Sequence, residues 1–356
     1  MSAASAHRDG PILVVGCGLI GTSLALALTE QGREVHLADA VPTNVELAVS
    51  RGAGSAEPVI DPQLVVVAVP PSAAADVVIE MLQAHGGAVV TDVASVKAEL
   101  IADVERTAHA DRFVGGHPMA GKERSGPMAA VPRLFEGRPW AVVPTSSSTP
   151  EAVQLVVDIA ESTGAVPRLM DPRSHDRAVA LVSHVPHVAS VAVAGLLNDA
   201  PDGALDLAGP GLRDVTRIAG SETGLWIDIL GGNAGEVRRL LGLLRDSLDT
   251  AIGALDQDPG ALAALLDAGR SGSGLIPGRH GGASERLATV YVSVSDQPGE
   301  LSRLMADTGE SGVNIEDIRI DHELGRLVGQ VEIAVVETGA DTLVDALTAR
   351  GWAAHR

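Results

Sequence analysis

A single cysteine in 356 residues, Cys17, rules out a disulfide framework and a cysteine-built zinc site. Aromatic residues are almost as scarce: two Phe, one Tyr and three Trp make up 2% of the chain. A core therefore has to come from Val, Leu, Ile and Ala, and single-stranded nucleic acid finds no stacking platforms. Basic side chains are outnumbered by acidic ones, 26 to 46, for a net charge of −20. Phosphate backbones are held by basic patches, so nucleic acid is excluded as a partner. An anionic small molecule, repelled by the overall field, has to be met by locally placed Arg and His. Long apolar runs are missing too. Leu64 to Val69 and Val188 to Ala194, the latter interrupted by Ser190, fall far short of the ~20 residues of a spanning helix. Met1 to Gly10 is polar and lacks the apolar stretch of a signal peptide. A soluble, cytoplasmic protein with no membrane partner is expected.

What is present is a globular hydrophobic fraction of 46% and enough chain for two or three domains at roughly 100–200 residues each. The apolar run Pro11 to Val15 leads into Gly16-Cys17-Gly18-Leu19-Ile20-Gly21, then an apolar helix to Glu30 that stops at Gly32, then a strand from Glu34 to Ala38 ending at Asp39. Strand, Gly-x-Gly-x-x-Gly, helix, strand and acid make a dinucleotide-binding unit. Gly16 permits the tight turn, Gly18 lets backbone N–H groups approach the pyrophosphate, and Gly21 lets the helix pack on the strand. Leu19 and Ile20 open the helix whose N-terminus attracts phosphate. Asp39 suits a ribose 2′-hydroxyl and repels a 2′-phosphate, and Ala40 to Asn44 offer no cation to hold one, so the cofactor is NAD rather than NADP. Cys17 reads as a small filler in this loop.

The alternation continues. Leu64 to Val69 is a strand buried on both faces, and Val69-Pro70 ends it where the ribose and nicotinamide pass. A helix (72–84), a strand (88–92), Val93 to Lys97 and a further helix follow. Arg112-Phe113-Val114 reads as a short strand, with Gly115-Gly116-His117-Pro118-Met119-Ala120-Gly121 as the loop after it. Asp92, Ser95 and His117 thus lie at carboxyl ends of strands, where open α/β sheets bind their ligands. Histidine is the side chain suited to take a proton near neutral pH, which makes His117 the candidate base; a structural loop histidine is the alternative. Two more strands (138–144 and 166–170) flank a helix (151–162), and Asp171-Pro172 closes the domain.

From Arg173 to about Ala268 no strand is evident. Ser174-His175-Asp176 opens a long helical region, interrupted by Ser183-His184-Val185-Pro186-His187, where Pro186 is expected to kink it. The apolar helix beyond is expected to be buried, in part against a second subunit. His184 and His187 share one helix face. They read as substrate contacts or as a buried hydrogen-bonded pair; no carboxylate or cysteine at ligand spacing supports a metal site, and none is assigned. Arg213 and Arg217 are fixed cations able to hold a carboxylate bidentately, or to form surface ion pairs with neighbours such as Asp214.

With these motifs in order, the chain resembles the prephenate/arogenate dehydrogenase family from about Ile12 to Leu255. The resemblance rests on the glycine motif, on Asp92 to Lys97, on Gly115 to Gly121, on Ser183 to His187 and on Asp214 to Arg217. It implies an NAD-dependent oxidative decarboxylation, with prephenate or arogenate as the small-molecule substrate. His117 would take the 4-hydroxyl proton, Ser95 would steady that hydroxyl and His117, Arg217 would bind a carboxylate, and His184 and His187 would lie at the substrate. Glu123 and Ser125 match the family pattern without a clear task, and Lys122 is a candidate substrate contact. A hydroxy-acid or imine dehydrogenase of similar build, and a non-catalytic NAD and amino-acid sensor, are the rival readings. The His117 and His184 segments argue against the first; the intact set Ser95, His117 and Arg217 argues against the second.

After a Gly-rich linker (269–286), strand, helix, two strands and helix follow, with Asp296-Gln297-Pro298-Gly299 and Gly312-Val313-Asn314-Ile315. This is similar to an ACT domain, which implies an aromatic amino-acid effector near Gly299 and Asn314; Gly299 as a turn residue and Asn314 as a cap are the plainer readings. The fold expected is an α/β Rossmann-type dinucleotide-binding domain (10–172), an all-α substrate and dimerisation domain (173–268) and an α+β ACT regulatory domain (287–356), assembled as a homodimer.

Overall fold

The computed structural model describes residues 10–121, 124–255, 258–276, 286–322 and 328–356. They fall into two compact units, 1–244 and 245–356.

In the first unit the chain runs β1 (Ile12–Val15), α1 (Leu19–Glu30), β2 (Val35–Ala38), α2 (Pro42–Ser50), β3 (Leu64–Val67), α3 (Pro71–Ala84), β4 (Val89–Asp92), α4 (Ala98–Glu105), β5 (Phe113–Pro118), β6 (Pro139–Pro144), α5 (Pro150–Ser162) and β7 (Val166–Leu169). The strands form one sheet in the order β2-β1-β3-β4-β5-β6-β7, parallel except between β5 and β6. Strand alternation divides the aliphatic residues between two cores. Ile12, Val14, Leu64 and Val66 face one layer, and Leu13, Val65 and Val67 the other. This is why β3 reads as a continuous apolar run. The order reverses beside β1, so the crevice outside its carboxyl end is the binding position of a doubly wound sheet.

The sequence places His117 in a loop; the structure places it inside β5, opposite Ala141 of β6. The glycines before it serve close packing. A Cβ on Gly116 would lie 2.5 Å from the Asp92 carbonyl oxygen, and one on Gly115 2.9 Å from that of Val143. Strand β5 is buried throughout, an environment only glycine fits at those two points.

Helices complete the unit: α6 (Pro172–Val179), a π-helical turn (Ala180–His184), α7 (Val185–Gly195), α8 (Pro210–Thr216), α9 (Thr223–Gly232) and α10 (Ala234–Ala254), which runs past residue 244. The expected kink takes the form of the π turn, which precedes Pro186 and places that proline in the first turn of α7, where it needs no N–H partner. Residues 173–244 lie in the same compact unit as the sheet. The continuous helical stretch Pro172–Asp199 is long and apolar enough, by length and composition, to cross a membrane, which the shorter sequence runs did not suggest. Its inner side carries His175, Asp176, His184 and His187, all buried, as part of a polar site. Its outer residues, such as Leu196 at 73% exposure, are uncovered in the single chain.

The second unit holds α11 (Pro259–Ser273), β8 (Leu287–Ser295), α12 (Glu300–Glu310), β9 (Asp317–His322), β10 (Val328–Val336), α13 (Ala340–Ala349) and β11 (Ala353–His355). Residues 269–273 of the expected linker are the last turns of α11, and 277–285 lie outside the described residues. Beyond α11 the pattern is βαββαβ with sheet order β11-β8-β10-β9, a ferredoxin-like arrangement. Its core is aliphatic, built on Val290, Val292, Leu304, Ile333 and Leu343.

Candidate active site

The glycine loop shows a division of labour. A Cβ on Gly16, at φ +105°, would sit 2.3 Å from the Ala68 carbonyl oxygen, and one on Gly21 2.0 Å from that of Gly16. Both are packing requirements of the β1–α1 turn. A Cβ on Gly18 would meet nothing within 4 Å. That open side lies at the N-terminus of α1, whose first turn has no side-chain cap. Uncapped N–H groups at Leu19 and Ile20 beside open space are what a pyrophosphate requires. Asp39 at the end of β2 accepts the Cys17 N–H on one oxygen at 2.6 Å, and the Val41 N–H (2.8 Å) and the Asn44 amide (3.3 Å) on the other. It thereby fastens the loop and keeps acceptor capacity for a ribose hydroxyl. Val69 and Pro70 follow β3, at the same edge of the sheet. Cys17 is buried, and burial with the nearby Asp39 charge pushes its thiol up to about 12, which makes it inert filler.

A cavity of about 1030 Å³ lies at the carboxyl end of β4 and the end of β5. Ser95, His117, His184, His187 and Arg217 all line it. Five residues spread over 123 positions of sequence, from 95 to 217, thus converge in one place. The cofactor residues Gly16 to Gly21, Asp39, Val69 and Pro70 are outside its wall. Arg51, Arg124 and Ser125 join the lining, while Arg213 does not; Lys122 and Glu123 lie outside the described residues. In a chain of net charge −20 the wall therefore carries, among the described residues, three arginines against Glu222. This is the local positive field an anion needs.

His117 is 8% exposed. Its Nδ1 lies 2.9 Å from Nε2 of His175, which holds the ring. Burial, and after it electrostatic interaction with His175, Lys97 and His184, holds its pKa well below the usual histidine value, leaving a neutral ring. His184 is pushed down to about 4, chiefly by burial; its Nδ1 accepts from the Asn233 amide at 3.3 Å. His187 is lowered by burial as well, and stacks flat on Trp226 at 3.5 Å between ring centroids.

Several supporting contacts escaped the sequence reading, which places Asp92 and Lys97 at the strand end without their partners. Asp92 accepts the Gly116 N–H (3.1 Å), the Ala94 N–H (2.9 Å) and the ammonium of Lys97 (2.5 Å). Lys97 and Asp92 are fully buried, and Lys97 also donates to the carbonyls of Ala94 and Val96. The pair thus clamps β5 next to His117 onto the end of β4. Arg51 donates to the carbonyls of Pro127, Met128 and Ala130 and so fixes part of the cavity wall. A lone Arg or Lys in a sequence gives no sign of such backbone partners.

A doubly wound sheet with a phosphate-ready glycine loop, joined to a cavity that offers a neutral histidine and fixed cations, defines a nicotinamide-dependent dehydrogenase. The prephenate dehydrogenase nucleotide-binding domain model matches residues 24–169, and the prephenate dehydrogenase dimerization domain model matches residues 171–266. The chain belongs to the prephenate dehydrogenase family. Among its relatives, NovF of Streptomyces niveus, named "Probable prephenate dehydrogenase", is 36% identical over 96% of this chain and 99% of its own length. The prephenate dehydrogenase of Bacillus subtilis is 29% identical over 87% of each. The structure of prephenate dehydrogenase from A. aeolicus with hydroxyphenyl propionate and NAD+ superposes with a TM-score of 0.67 at 29% identity, covering 75% of this chain and 98% of that one. Synechocystis arogenate dehydrogenase gives 0.64 at 28% identity, over 74% and 98%.

Proposed function

We propose that this chain converts prephenate to 4-hydroxyphenylpyruvate with NAD, and that the cavity holding Ser95, His117, His184, His187 and Arg217 is where it does so. That convergence carries the reading. NAD, when bound along Gly16 to Gly21, Asp39, Val69 and Pro70, supplies the acceptor for the hydride leaving the ring carbon that bears the 4-hydroxyl. His117 takes the hydroxyl proton as that carbon becomes carbonyl-like. Loss of the ring carboxylate as carbon dioxide sends its bonding electrons through the ring to the oxygen, and His117 returns the proton to the phenolate. Arg217 pairs with a carboxylate, Ser95 holds the hydroxyl, and His184 and His187 border the substrate. Aromatisation drives the sequence.

A second reading, arogenate in place of prephenate, is favoured by the near-equal likeness to Synechocystis arogenate dehydrogenase. Following NADH absorbance with purified protein, NAD and each substrate in turn separates the two. Turnover of prephenate supports the first reading, turnover of arogenate alone supports the second, and turnover of neither removes both.

We also infer that the βαββαβ unit is an ACT-type sensor of an aromatic amino acid. Supporting this are its topology and the turn at Gly299, which has φ +95° and caps α12. Asn314, exposed, donates to Glu316 at 2.9 Å, so it also has a local structural task. Tyrosine and phenylalanine added to the full chain should change the rate; no binding and no change would refute the assignment. A cytoplasmic setting fits the one buried, unpaired cysteine.

A further inference from the structure

Two buried polar side chains behind His117 have no task in the reaction just described. His175 and Asp176, in α6, are 1% and 4% exposed. His175 Nδ1 lies 2.7 Å from Asp176 Oδ1, and His175 Nε2 lies 2.9 Å from His117 Nδ1. The direction of each bond follows from the end of the chain. A carboxylate only accepts, so Nδ1 of His175 carries the proton and donates it. A His175 ring with that single proton holds its lone pair at Nε2. His117 must donate from Nδ1, and its own Nε2, turned away from His175, is left with the lone pair that a base requires.

Asp176 is itself anchored. Its two oxygens accept the Lys97 and Ala98 N–H groups at 2.9 and 2.8 Å. These are at the start of α4, which has no side-chain cap of its own. The positive end of that helix thus fixes the carboxylate, the carboxylate fixes His175, and His175 fixes His117. Asn233 completes the support by donating to the Asp176 backbone carbonyl at 2.7 Å.

We propose that His175 and Asp176 are positioning residues that hold His117 as its Nδ1–H tautomer and thereby make Nε2 the base. This rests on His117 being the base. When His117 takes up a proton at Nε2, its Nδ1–H bond to His175 becomes charge-assisted and strengthens, so the pair favours the protonated intermediate over the resting ring. The logic is that of a carboxylate-oriented catalytic histidine, extended by one ring.

The experiment compares His175→Leu, His175→Gln, Asp176→Asn and His117→Asn with wild type. A leucine cannot accept from His117, whereas a glutamine oxygen can. His175→Leu should lose kcat by about 10²-fold or more, the scale of a misdirected general base, with KM and NAD affinity nearly unchanged. His175→Gln should recover at least about tenfold of that loss. Asp176→Asn can turn an amide N–H toward His175, reverse both tautomers and cost a comparable factor. Nitrogen-15 spectra of the wild-type imidazoles, assigned by loss of the His117 signals in His117→Asn, read the tautomer directly, even if a variant folds poorly. A His117 ring protonated at Nε2, or wild-type kcat in His175→Leu, overturns the proposal. If His117→Asn itself keeps full turnover, the base assignment fails first; if it is inactive while His175→Leu is unimpaired, only the positioning role fails.

Discussion

At the scale of single residues, the site works by choosing which protonation state is resident. His117 is a neutral ring because burial comes first and electrostatic interaction with its neighbours His175, Lys97 and His184 second. The neutral ring is the form that accepts a proton, so activity is present above its folded pKa and lost as pH falls through it. With the ordinary value at 6.5 and the shift downward, the acid limb of kcat/KM should lie below pH 6.5. A pH profile whose acid limb sits at or above 6.5 would contradict this account of the ring. His117 itself was legible in the sequence, because a histidine among glycines at a strand end is a local signal. His175 was not. It lies 58 positions away, and Ser174-His175-Asp176 reads only as the start of a helix. Nothing in one sequence says that this start meets the end of β5.

At the scale of elements, what the sequence conveyed well was the βα alternation, because each strand is short, aliphatic and closed by a turn. All seven strands of the large sheet lie where the apolar runs suggested. The end of β5 was misjudged for a physical reason. Gly-Gly-His-Pro has the composition of a loop, and only tertiary contact shows that the glycines are there to let β5 pass against Asp92 and Val143. The clamp on that strand is the buried Lys97–Asp92 pair. Replacing Lys97 by Met leaves Asp92 buried without its cation, which should cost about 3–5 kcal/mol. Denaturant unfolding would measure it, and a change under about 1 kcal/mol would show that the pair does not hold β5. The π turn before α7 was also beyond sequence reasoning: proline announced an irregularity but not its form.

At the scale of the whole molecule, the acidic charge and the aliphatic composition take on meaning. Among the described residues, three arginines around one cavity oppose a net charge of −20, so the positive field an anion requires is local to this wall. The exposed apolar side chains of the helical region, among them Leu196 at 73%, Leu207 at 88% and Ile227 at 66%, are more than a monomer ordinarily leaves uncovered. Together with the match to a dimerization domain model, they predict a homodimer. Light scattering on the purified chain should return twice the 36.3 kDa chain mass, and a monomer at micromolar concentration would refute the assembly. The most direct test of the central claim is NADH formation from prephenate by wild type and His117→Asn, measured side by side at matched NAD occupancy. Turnover by wild type, with a loss of about 10²–10⁴-fold in the variant, is the predicted result. Equal rates in the two proteins, or no turnover of prephenate by either, would contradict it.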